Sequence, residues 1–233
     1  MTTEQPTVNP TRNTSVVAGV GILVMAALSG FGYFVAVNGL VTPGDAARTA
    51  TDIMGSETLF RFGIVSLFLV AVLDVVVAWA LYRVFRPVSD GISMLAAWLR
   101  LAYATVFLVA IAQLLEVPRL LGDGAYLAVF SANQLHAQAL SRIDAFSDVW
   151  HAGLVLFGVH LGLVAYLALR SGSVPKFLGV LLAIAGLGYL FDSFAATLAG
   201  SSPEVSSYTF LGEFLLALWL VTRGRRNTFV EAG

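Results

Sequence analysis

The sequence predicts an all-α, polytopic integral membrane protein built as a bundle of six transmembrane helices. Three observations carry that reading. Of the 233 residues, 58% are hydrophobic and only 12% are charged, where a soluble domain carries roughly 25% charge. The mean hydropathy is +0.84. The apolar residues are also gathered into long stretches suited to a hydrocarbon layer roughly 30 Å thick, crossed at about 1.5 Å per residue. Too little polar surface exists to cover a globule of this size in water, which excludes a soluble enzyme and a disordered chain. The 13 basic residues balance 14 acidic ones, so no basic field exists to attract nucleic acid. The chain has no cysteine, which excludes disulfides, thiolate metal sites and cysteine nucleophiles.

Residues 1–15 are small, polar and proline-containing, and read as a disordered tail. The apolar run Val16–Leu40 exceeds the roughly 7–15 residues of a secretory core, so it is read as a retained helix rather than a cleaved signal. Five further spans are predicted near Leu59–Tyr82, Ile92–Val117, Val149–Leu169, Val174–Leu198 and Ser206–Thr222. Residues 16–222 then form a single transmembrane domain, followed by a basic tail over 223–233. With six spans, Arg12, Arg83, Arg86, Arg170, Lys176, Arg223, Arg225 and Arg226 fall on one side, and Arg48, Arg61, Arg119 and Arg142 on or near the other. The positive-inside rule puts the first group, and both termini, in the cytoplasm. This is a multi-pass protein of the cell membrane, with lipids as its obligatory partners.

The cytoplasmic turns FRPVSDG and RSGSVPKFLG are short and proline-containing, as tight helical hairpins require. The outer connections are longer. In VTPGDAARTATDIMGS, Asp45 is placed to cap a short helix that stops at Gly55. The stretch from Leu120 to Asp148 spaces Leu135, Leu140, Ile143 and Phe146 among polar residues. Short amphipathic helices on the outer face are predicted in both. Ordered loops that merely close the bundle are the plainer alternative.

Three strings stand out together: VTPGDAARTATDIMGSETLFRFG, DVVVAWALYRVFRPV and GVHLGLVAYLALRSGSVPKFLGVLLAIAGLGYLFDSF. With them, residues 15–222 or so resemble an uncharacterised bacterial membrane family, domain of unknown function 4386. The resemblance implies a multi-span membrane protein. It brings no assigned activity and no catalytic residues to carry over.

Ionisable side chains in hydrocarbon cost several kcal/mol unless paired or hydrated, so each needs a partner. Asp74 lies nine residues before Arg83, and Arg100 nine residues after Gly91. Both sit about 14 Å from the cytoplasmic edge at 1.5 Å per residue, on helices joined by a tight hairpin. An Asp74–Arg100 ion pair is therefore predicted. His160 lies ten residues before Arg170, and Glu213 nine before Thr222, so the same count puts Asp74, Arg100, His160 and Glu213 in one layer. They either line a polar cavity or form two separate clamps between helices; counting gives depth but not azimuth. A second, outer set holds Glu57 with Arg61, Glu116 with Arg119, Asp148 with His151, and Asp192. Their three- and four-residue spacings place partners on one helical face. Asp192 needs a donor, for which Arg61 and His151 are candidates. Gly158 and Gly162 bracket His160 as GxxxG. That pattern favours close internal packing over a dimer face and fixes no oligomeric state.

No cofactor or metal is expected. His151 and His160 are nine residues apart on one helix, half a turn out of phase and unsuited to paired haem ligation. Asp148, His151 and Asp192 match no dedicated zinc motif. Ser147, Ser193 and these groups show no nucleophile, base and orienter in sequence. Three functions stay open: binding, transport or sensing of a small or lipid-like molecule in a polar cavity; a structural or interaction role in which the charges only lock helices; and catalysis on a lipid-like substrate. Binding is preferred to catalysis.

Overall fold

A computed structural model describes residues 10–200 and 203–223, and every regular element among them is helical. Helix α1 (Pro10–Ser29) continues through a π-helical segment, Gly30–Val37, and a 3-10 turn, Asn38–Leu40. There follow α2 (Ala46–Gly55), α3 (Glu57–Phe85), α4 (Asp90–Leu120), α5 (Ala132–Arg170), α6 (Lys176–Ala199), α7 (Ser206–Thr209) and α8 (Leu211–Thr222). Five segments are long and apolar enough to cross a membrane, and Ser206–Thr222 is a shorter apolar helix, interrupted at Phe210.

Local chemistry sets the boundaries. Thr14 and Ser15 are already buried, so the expected tail over 1–15 is corrected for 10–15; residues 1–9 lie outside the described residues, as do 224–233 with Arg225 and Arg226. Asp45 caps α2, its carboxylate accepting from the Arg48 amide at 2.9 Å. Gly200 ends α6 with φ of 70°, a left-handed conformation that glycine adopts without steric cost.

The connection before the fourth expected span is the main revision. Its spacing predicts short amphipathic helices, but α5 runs unbroken for 39 residues, about 58 Å at 1.5 Å per residue. Ser131 and Gln134 form a capping box: the Ser131 hydroxyl accepts from the Gln134 amide and the Gln134 side chain accepts from the Ser131 amide. From there Ala139, Ile143 and Phe146 are buried on the stripe that continues into the span, and no proline or glycine interrupts it before Gly153. The helix therefore has no reason to stop at Val149.

The five long helical segments and the shorter α8 close into a ring. Helix α1 packs on α3, α3 on α4, α4 on α5, α5 on α6, α6 on α8, and α8 returns to α1. One end carries the tight hairpins Arg86–Ser89 and Ser171–Pro175. The other, the cap end, carries α2 packed against the polar first half of α5. Helices α4 and α5 are laced in antiparallel register. Arg142 donates to Gln113 at 3.0 Å, Trp150 to the Tyr103 hydroxyl at 3.0 Å, and His160 meets the Ala96 carbonyl oxygen at 2.8 Å. In α3 the stripe Phe60, Ile64, Leu67, Ala71, Asp74 and Ala78 is buried, while Phe62, Val65, Leu69, Val72 and Trp79 are exposed. Both stripes are apolar apart from Asp74, as a helix between protein and lipid requires.

Glycine permits the closest crossings. A Cβ on Gly158 would lie 2.8 Å from the Gly186 carbonyl oxygen, and one on Gly186 2.7 Å from that of Gly158. Helices α5 and α6 thus touch backbone to backbone, as small-residue interfaces allow. A Cβ on Gly162 would meet nothing within 4 Å. Gly158→Val should therefore destabilise the bundle by about 1–3 kcal/mol or more through overpacking, whereas Gly162→Ala should be neutral or stabilising. Thermal unfolding of the purified variants, read by size exclusion, checks the contrast.

Candidate functional site

The layer expected from counting is assembled around Arg100. Its Nε donates to Asp74 Oδ1 at 2.8 Å, and the two side chains are 2% and 1% exposed. Its Nη1 faces His160 Nε2 at 3.2 Å, while His160 Nδ1 meets the Ala96 carbonyl oxygen. Arginine can only donate and a carbonyl can only accept. His160 is therefore the neutral tautomer protonated at Nδ1, and its Nε2 is an acceptor for Arg100. The third corner, Nη2, lies 3.9 Å from Met25 Sδ, and the guanidinium carbon stands 5.2 Å over the Phe157 ring. One side chain of α4 thus touches α1, α3 and α5.

The ion pair leaves one atom unsatisfied. Asp74 Oδ2 is buried and has no hydrogen-bond partner among the described residues. Glu213, on α8, lies close enough to Arg100 and Asp74 to feel both charges, and the Tyr189 hydroxyl faces its carboxylate. Asp74, Arg100 and Glu213 border one cavity of about 490 Å³. His160 lies just behind its wall, on the far side of Arg100.

The cavity runs from this charged floor toward the cap end, and every helix of the ring contributes to it. Its walls are aromatic: Tyr33, Tyr103, Trp150, Phe157 and Tyr189 line it and pack on one another. Ring centroids are 4.8 Å apart for Tyr33 and Trp150, 4.8 Å for Tyr103 and Phe157, and 5.2 Å for Phe157 and Tyr189. The π-helical segment presents Tyr33 and Phe34 to the space, a wider turn of the kind often found at functional sites. His151, Glu204, Ser206 and Ser207 line the upper part.

The outer set forms local pairs rather than one cluster: Arg119 bonds Glu116 at 2.8 Å, as the three-residue spacing predicts. Arg61 bonds Glu57 at 2.7 Å on the exposed face of its own helix, and Asp148 is exposed. His151 Nδ1 bonds the Ser147 carbonyl oxygen at 2.8 Å. The donors of Asp192 are backbone amides rather than Arg61 or His151: Val205 at 2.9 Å and Ser206 at 2.7 Å. The fully buried carboxylate latches the strap that leads into α7. It holds Glu204 at φ of 55°, strained for a residue with a side chain. The latch also keeps Ser206, Ser207 and Phe210 against the cavity. Among the described residues no three histidine, aspartate or glutamate side chains are grouped to hold a metal ion.

Long apolar helices closed around buried charge define a multi-pass membrane protein. The chain belongs to the family described as "Domain of unknown function (DUF4386)", which matches residues 17–224. It is 36% identical over 165 residues to an uncharacterised protein of Archaeoglobus fulgidus, covering 71% of this chain and 85% of that one. No solved structure matches.

Reading the sequence missed the aromatic wall and the Asp192 latch. Phe157 precedes His160 by three residues, one turn on the same face, which is a usable signal. Nothing in the sequence marks the amides of Val205 and Ser206 as partners of Asp192.

Two outcomes are expected. Arg100→Met or Asp74→Leu alone should cost about 3–5 kcal/mol by stranding a buried charge, while the double variant should be more stable than either; a double-mutant cycle on reversible unfolding checks this. Asp192→Ala should release the strap by removing two charge-assisted hydrogen bonds of about 1.5–3 kcal/mol each. Faster hydrogen exchange at Val205 and Ser206 is the readout.

Proposed function

We propose that the protein binds a small or lipid-like molecule in this cavity, as a carrier or sensor in the membrane. The observation that carries the reading is the charged floor: Asp74, Arg100 and Glu213 line a 490 Å³ space deep in the bundle, and the buried Asp74 Oδ2 has no partner among the described residues. A buried polar atom without a partner costs about 1–3 kcal/mol, which a ligand donor offsets. Apolar walls with a few convergent polar groups are the usual makeup of a small-molecule site.

The same proposal takes Ser206–Thr222 as a sixth span. Its support is that the ring closes only through α8, and that 17 residues reach the short end of the spanning range of roughly 17–25. Arg83, Arg86, Arg170, Lys176 and Arg223 then share the hairpin end, which the positive-inside rule assigns to the cytoplasm. The cavity faces away from that side.

A structural role is the second reading, favoured by the way Arg100 ties α4 to three other helices. Native mass spectrometry of protein taken gently from its membrane separates the two. The wild type should carry a non-covalent adduct. Ala26→Trp, placed in the cavity lining, should lose it. Leu187→Trp, on the outer surface, should keep it. Absence of any adduct, together with no stabilisation by added lipid extract, would leave the structural role.

A further inference from the structure

We propose that the ligand is an organic cation: an apolar body carrying one positive charge, seated with that charge toward the Asp74 and Glu213 side of the floor. This deepens the binding reading above and rests on it. Charge at the floor decides the class. Two carboxylates, Asp74 and Glu213, stand there against one guanidinium, Arg100, and His160 is held neutral by its two hydrogen bonds. Arg100 is the counter-charge of Asp74, which leaves Glu213 on the cavity with no second arginine or lysine among the described residues that line it.

The guanidinium already has a carboxylate as its partner: Nε donates to Asp74, one Nη1 hydrogen faces His160, and Nη2 faces the Met25 sulfur. An anionic head would also meet Asp74, Glu213 and, farther up, Glu204. A cation instead meets the carboxylate side of the floor, where Asp74 and Glu213 line the cavity. Around it stand Tyr33, Trp150 and Phe157, and the faces of such rings attract positive charge, by more when the site is desolvated. Phe157 already does this for Arg100.

A lipophilic cation from water and an amine-headed lipid from the bilayer share this chemistry. The test uses the full chain in an uncharged maltoside detergent. Tritiated tetraphenylphosphonium should bind saturably, one per chain. Tetraphenylborate has the same shape and the opposite charge; measured separately, it should not bind, nor should neutral triphenylmethanol. Asp74→Asn should weaken phosphonium binding tenfold or more. Glu213→Gln, which leaves the Arg100–Asp74 contact intact, should do the same and serves if Asp74→Asn fails to fold. Displacement by octadecylamine in the micelle points to a membrane source, and displacement only by decyltrimethylammonium to an aqueous one; either supports the cation.

Binding of the borate or the alcohol without the phosphonium overturns the charge assignment and leaves the binding reading standing. So does a folded Glu213→Gln protein that binds phosphonium as tightly as the wild type. If none of the three probes binds and no adduct is retained from the membrane, both readings fall and the cavity holds water alone.

Discussion

A guanidinium placed in the interior of an apolar bundle has to be surrounded on every side before the bundle can close. The penalty for an ion in hydrocarbon is several kcal/mol at least, and it falls only as opposite charge, acceptors and polarisable surface are brought up. Arg100 receives all three: the Asp74 carboxylate, the His160 imidazole, and the Met25 sulfur with the Phe157 ring. Each comes from a different place on α1, α3 or α5. Rotating any of these helices by a fraction of a turn would withdraw a contact and expose the charge. Between lipid-facing helices, apolar packing alone discriminates weakly among rotations, because lipid is as apolar as the core. The arginine supplies the discrimination.

The cavity follows from the same constraint. Helices held at fixed rotations around a polar centre cannot also collapse on it, and the bulky rings of Tyr33, Trp150 and Phe157 keep the walls apart above the floor. Elsewhere the bundle is tight: α5 and α6 meet at Gly158 and Gly186, and a Cβ added to Gly19 of α1 would lie only 2.6 Å from the Ala217 carbonyl oxygen of α8. Space is thus left at one place and removed at others. The Asp192 latch adds a wall at the cap end by fixing a strap whose amides would otherwise lack acceptors.

The charged layer was partly legible beforehand because two independent quantities could be counted. Helix rise converts residue number into depth, and a hairpin of four residues makes α3 and α4 neighbours, so Asp74 and Arg100 had to be at one level. The tie from His160 to Ala96 depends on how α5 rotates against α4, which no spacing in α5 reveals. The donors of Asp192 are illegible in sequence for a related reason. They are backbone amides, which every residue but proline has, so no side-chain type marks them. The length of α5 was misjudged because a hydropathy run marks where a helix becomes apolar rather than where it begins; the capping box at Ser131 and Gln134 marks the start.

What the sequence by itself determined is the solvent and the vertical order. Scarce charge names the hydrocarbon, apolar length gives the helices, and residue counting gives the level of each ionisable group, all of them properties of one segment at a time. The tertiary structure alone decided azimuth and company: which face of α3 carries Asp74 inward, which rings line the space, and which oxygen lacks a partner among the described residues. On a helix apolar on both faces, periodicity holds no signal for rotation. That information exists only where six segments meet and a buried charge makes one arrangement cheaper than the rest.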